Sequence, residues 1–185
     1  MTDSNMIQAL EKIRDSVQVH GGTALSQIGK TFSQYEGKKA IKEQDQNEMA
    51  VALHENGVAI SDQEAGTLSK YFDKDSTGGT NFNKVFIGKD VGLDSSDKLM
   101  RTNMHFNKDG SGELVLEELQ GNFDLENHPK YKSGELSKSE LFSELAKQQQ
   151  IGEGPSHHGY NRLVASIDDQ NNFNISSSSG WKDYY

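Results

Sequence analysis

The sequence predicts an all-α fold of four helix–loop–helix units in two pairs, and three observations carry that expectation. Apolar residues recur at helical spacing along most of the chain. Tyr35, Phe72 and Phe106 each end such a stripe just before a polar loop, the loops opening at positions 36, 73 and 107. One of those loops, 107–118, alternates oxygen-bearing side chains with other residues and then turns on a glycine.

Met6, Leu10, Ile13 and Val17 fall on one face of an N-terminal helix, and Gly21-Gly22 breaks it. Leu25, Ile28, Phe32 and Tyr35 form a second stripe that runs into the polar segment 36–46. Helix resumes around Met49 to Leu53, with Gly57 as its C-terminal cap. Ser61 and Glu64 make a capping box that starts the next helix, whose buried side is Ala65, Leu68 and Phe72. After loop 73–84, Val85, Phe86 and Ile87 read as helix again, and the polar stretch 88–96 is the best linker.

Beyond that linker, Leu99, Met100, Met104 and Phe106 lead into loop 107–118, and Leu119 and Phe123 lead out of it. An irregular insertion follows. A second capping box, Ser137 with Glu140, ends it, flanked by Leu136 and Leu141 at the spacing of a hydrophobic staple. That helix is expected to reach about Gln148, a short helix follows near 160–167, and the remainder is low in complexity. The expected organisation is an N-terminal pair at 1–90, a C-terminal pair at 91–172 and a tail at 173–185.

Bulk properties narrow the function. With 32% hydrophobic residues in 185 and a mean hydropathy of −0.78, the cores must be thin. The absence of cysteine excludes a disulfide scaffold and a thiol nucleophile. A net charge of −9 argues against a nucleic-acid partner, which requires a basic face. The start, MTDSNMIQAL, has neither the basic stretch nor the apolar run of a signal peptide, and Thr2 excludes N-myristoylation. No apolar run approaches a membrane span, so a soluble cytoplasmic protein with no membrane partner is expected.

Calcium takes about six to eight oxygens, and the EF-hand supplies them from a loop of about twelve residues. Asn107, Asp109 and Ser111 stand at its first, third and fifth positions, with Gly112 at the sharp turn. Glu113 would give a backbone carbonyl, Leu114 the apolar tie to a partner loop, and Glu118 both carboxylate oxygens. Only Asp109 and Glu118 bring charge, and Val115 offers no oxygen at the ninth position. The expected affinity is therefore weak, about 10⁻⁵ M or poorer, with magnesium as an alternative occupant.

The other loops are degenerate. Loop 73–84 begins with Asp73, Asp75, Thr77 and Gly78 but ends on Lys84, a cation where the bidentate carboxylate belongs. Its ammonium either sits near Asp73 and Asp75 in place of a metal or points into solvent. Loop 36–48 is basic and lacks an acid-x-acid start, and loop 149–161 lacks a terminal glutamate. The His157-His158 pair beside glycine and proline reads as ordinary loop.

With these loops placed, the chain resembles the calcyphosin-like proteins of the EF-hand superfamily. The segment 128–140, HPKYKSGELSKSE, carries the most specific likeness, and Trp181 near the C-terminus corresponds as well. The resemblance implies two EF-hand pairs, calcium bound by Asn107, Asp109, Ser111, Glu113 and Glu118, and a non-enzymatic adaptor role toward protein partners. It also implies an association with cilia. Lost loop acids suggest the alternative of a permanent structural component of a larger assembly, such as the ciliary axoneme, that no longer depends on calcium. Trp181, Tyr184 and Tyr185 could dock on such a partner or fold back on the protein itself. No phosphate loop, nucleophile elbow or metalloprotease motif is present, so no enzyme is expected.

Overall fold

Amphipathic spacing in the first third of the chain yields four helices: α1 (Ser4–His20), α2 (Gly22–Gln34), α3 (Glu43–His54) and α4 (Asp62–Ser69). They belong to a computed structural model that describes residues 4–34, 43–74, 79–87, 98–120, 125–151 and 160–178. The stripes Met6, Leu10, Ile13, Val17 and Leu25, Ile28, Phe32 are buried, as their spacing requires. Gly21 adopts a left-handed φ of 60°, which lets the chain pass from α1 to α2 in one residue.

At the start of α4 the capping box closes in both directions. The Glu64 N–H donates to Ser61 Oγ at 3.1 Å, and the Ser61 N–H donates to Glu64 Oε1 at 2.8 Å. The same oxygen accepts from Lys12 Nζ at 2.7 Å, which ties α4 to α1. Burial alone would raise the Glu64 carboxyl, but the Lys12 and Ser61 bonds outweigh it and hold the group below its usual range.

From Asp73 onward the chain departs from the all-α expectation. Six strands form one antiparallel sheet in sequence order: β1 (Asp73–Lys74), β2 (Thr80–Ile87), β3 (Lys98–Phe106), β4 (Gly112–Gln120), β5 (Tyr160–Ile167) and β6 (Phe173–Ser178). Two helices, α5 (Pro129–Lys132) and α6 (Lys138–Ile151), lie between β4 and β5. The four helix–loop–helix units are therefore overturned. Segments 85–87, 99–106 and 160–167 are strands, and 107–118 is a turn followed by a strand. The expected boundaries near 90 and 172 fall between β2 and β3 and between β5 and β6, which are neighbours in this sheet.

Pairing explains the difference. Phe82, Met104, Leu114, Ala165 and Ile175 stand opposite one another across five strands, from β2 to β6. Thr80, Phe106, Gly112, Ile167 and Phe173 form the next row. Met100 and Met104 satisfy helical spacing, yet with Thr102 and Phe106 they also satisfy the two-residue period of a strand, and all four are buried. Burial of most of each row against the helices favours the extended form.

The inner face of the sheet packs on the helical layer as one apolar cluster. Phe32 stacks on Phe72 with ring centres 4.7 Å apart, and Phe72 lies 5.3 Å from Phe82. A Cβ at Gly29 would come within 2.7 Å of the Phe106 ring, so the bare glycine sets how closely α2 approaches β3. Glu118 also faces inward, 3% exposed, with Arg14 Nη1 of α1 at 3.9 Å and Asn161 Nδ2 donating to Oε1 at 3.4 Å.

On the outer face, Leu99, Leu119 and Tyr160 pack with Leu141, Phe142 and Ala146 of α6 in a second cluster. The capping box that starts α6 is formed, each Ser137–Glu140 bond measuring 3.1 Å. No helix among the described residues is long and apolar enough to cross a membrane.

Two substitutions test this packing. Gly29→Ala should destabilise the protein by about 1–3 kcal/mol in urea unfolding, because the added methyl overpacks Phe106. Arg14→Met should cost about 3 kcal/mol by removing the cation that faces the buried Glu118 carboxylate, and adding Glu118→Leu should recover most of that loss.

Candidate metal site at the turn between β3 and β4

Asn107, Asp109 and Ser111 meet at the turn that joins β3 to β4. The Asn107 N–H donates to the Ser111 carbonyl at 2.8 Å, and the Gly110 N–H donates to the Asn107 carbonyl at 3.0 Å. Asn107 Nδ2 donates to Ser111 Oγ at 2.9 Å. The Ser111 hydroxyl and N–H both donate to Asp109 Oδ1, at 2.6 and 2.8 Å. The hydroxyl bond first, then the backbone bond, lowers the exposed Asp109 carboxyl below its usual range, and the Lys30 charge adds a smaller effect in the same direction.

Two glycines shape the turn. Gly110 is left-handed, with φ 89°, and a Cβ there would meet Lys30 Cε at 2.7 Å and Ser26 Oγ at 3.2 Å. Helix α2 thus lies over the turn, with the Lys30 stem across Gly110. A Cβ at Gly112 would collide with the backbone carbonyl of His105, so glycine is required there by the close approach of β3.

The remaining expected ligands lie elsewhere. Glu113 is exposed on the outer face of β4, opposite His105 and Ser166. Glu118 is seven residues past Ser111, about 23 Å along the strand, and faces Arg14. The structure therefore gathers Asn107, Asp109 and Ser111 and separates Glu113 and Glu118 from them. No group of three or more His, Cys, Asp or Glu side chains able to hold a metal exists among the described residues. The residues do not fit a closed twelve-residue calcium loop, which needs a bidentate carboxylate facing its start.

Other expected sites fall partly or wholly outside the described residues. Asp75, Thr77 and Gly78 of loop 73–84 do so, while Lys84 belongs to β2, its backbone opposite Thr102. The His157-His158 pair and the aromatic residues Trp181, Tyr184 and Tyr185 also lie outside them. Two features escaped the sequence reading. Lys30 comes to the turn from α2, and Arg101 pairs with Glu117 across β3 and β4 at 2.9 Å. Both rest on contacts between distant segments, for which spacing gives no signal.

Among known proteins, the chain is similar to crustacean calcium-binding protein 23 of Faxonius limosus. The two are 23% identical over 138 residues, which span 74% of this chain and 68% of the crustacean protein. No protein-family model and no solved structure matches the chain. The similarity is to a calcium-binding protein and does not reach the narrower calcyphosin-like group.

The order of the turn should follow Asp109 ionisation. A carboxyl lowered in the folded state contributes above its unfolded pKa, and that contribution is lost as pH falls through the lowered folded value. In a carboxyl-detected NMR titration, Ser111→Ala should move the Asp109 midpoint up toward the usual aspartate range, because its hydroxyl donor is gone.

Proposed function

We propose that this chain is a calcium-binding, non-enzymatic adaptor that holds protein partners together, with one weak site at the turn 107–111. Similarity to the crustacean calcium-binding protein supports the calcium-binding part of this reading. In this reading the ion would sit at the turn that brings Asn107, Asp109 and Ser111 together. Asp109 supplies the charge, and neutral oxygens and water complete the shell. With one charged ligand, the affinity falls at about 10⁻⁵ M or weaker, and magnesium competes at cellular concentration.

A second reading is favoured by Glu118. Its carboxylate faces Arg14 inside the protein, as in a structural component that works without calcium. The resemblance to calcyphosin-like proteins suggests a ciliary or cytoskeletal assembly for such a component.

Calorimetric calcium titration with magnesium present separates the two. In the adaptor reading, the wild type shows one weak event, Asp109→Asn loses it, and Glu118→Gln keeps it. No heat in the wild type favours the calcium-independent component. Loss in both variants rules out the turn site, because Glu118 would then have to leave Arg14 and act as a ligand.

A further inference from the structure

The outer face of the sheet carries a charged row that the turn does not use. Arg101, Glu117 and Arg162 stand opposite one another on β3, β4 and β5, so two guanidinium groups flank one carboxylate. Both oxygens of that carboxylate are engaged. Arg101 Nε donates to Oε1 at 2.9 Å and Nη2 to Oε2 at 3.0 Å, in the two-pronged geometry that an arginine fork allows. The Tyr160 hydroxyl donates to Oε2 at 2.9 Å, and burial together with the Glu117 charge keeps that phenol protonated far above its usual range.

Arg101 is saturated as well. Its Nη1 donates to the Ser139 carbonyl at 2.9 Å, to Ser139 Oγ at 3.2 Å and to Ser143 Oγ at 2.7 Å. The guanidinium lies over the Phe142 ring, 4.5 Å from its centre. Pairing, hydrogen bonding and stacking hold this side chain in one place, and it forms a fixed wall.

Arg162 differs. It is exposed, and among the described residues it has no hydrogen bond or ion pair. The Glu117 charge opposite it is already matched by Arg101, which leaves one positive charge uncompensated in the row. A cleft of about 280 Å³ opens there, with Val115 as an apolar patch and Asn83 and Asn103 contributing carboxamides.

We propose that this cleft binds a carboxylate, held by the Arg162 guanidinium with the Asn103 carboxamide as a further donor. A carboxylate is planar and singly charged, and its two oxygens match the fork of one guanidinium. A phosphate dianion is a poorer fit, because a single uncompensated positive charge would face its two negative charges beside Glu117. The carboxylate could belong to a small organic acid or to an Asp or Glu side chain of a protein partner, and the chemistry of recognition is the same. This site is independent of calcium.

NMR titration of the full chain tests the proposal. The probes are succinate, the blocked peptide acetyl-Gly-Glu-Gly-amide, inorganic phosphate, and chloride at matched ionic strength. Saturable shifts of the Arg162 Nε resonance and of the Asn103 carboxamide are expected with a carboxylate probe. Binding should weaken at least about tenfold in Arg162→Met, the size of one charged hydrogen-bonded contact. Arg162→Lys should restore only part of it, since the fork is lost. Tighter binding of succinate points to a free acid, and tighter binding of the peptide points to a protein side chain. Equal shifts with chloride, binding that survives Arg162→Met, or a preference for phosphate would overturn the assignment.

Discussion

The register of β3 against β4 is the constraint on which the rest of the molecule depends. With Met104 opposite Leu114, the residues Met100, Thr102, Met104, Leu114, Leu116 and Glu118 all turn toward the helices. A slip of β4 by one residue would turn Leu114, Leu116 and Glu118 to the opposite face. Glu117 would then enter the apolar cluster, and Glu118 would leave Arg14 for solvent. The turn closes this register. Its Asn107–Ser111 backbone bond sits directly at the end of the ladder, beside the Phe106–Gly112 pair.

Once the register is set, the two faces separate by chemistry. The inner face is apolar except for Thr80, Thr102 and the place where Glu118 meets Arg14 and Asn161. A buried ion pair adds little net stability over a well-packed apolar pair, but it penalises any arrangement that separates its members. Here it orients α1 over β4. The outer face does the reverse, with an apolar patch under α6 and a hydrogen-bonded row beside it, where Arg101 ties the sheet to the helix through Ser139 and Ser143.

Much of the helical layer was legible in the sequence because its signals are local. The stripes of α1 and α2 and the capping boxes at Ser61–Glu64 and Ser137–Glu140 each lie within a few residues, and each formed as read. The sheet was not legible, because Met100 and Met104 fit a helix and a strand equally. What decides between them is Leu114 and Ala165, which are distant in sequence. The turn was legible in half. Asn-Lys-Asp-Gly-Ser-Gly is the chemistry of a tight turn whether a calcium loop or a hairpin follows, so Asn107, Asp109 and Ser111 were brought together as their order implied. Whether Glu118 returns to them depends on the path of 112–117. Those residues extend as β4, with Leu114 and Leu116 in the inner rows.

The strand order, β1 through β6 in sequence, has a kinetic consequence. Most neighbouring strands are joined by short connections, so their contacts are local and inexpensive in loop-closure entropy. The pairing of β4 with β5 is the exception, because α5 and α6 intervene between Gln120 and Tyr160. Closing that long loop joins the β5–β6 hairpin to a sheet already seeded by β2 to β4. It is therefore the step at which folding slows, and until it is complete β4 presents an open edge.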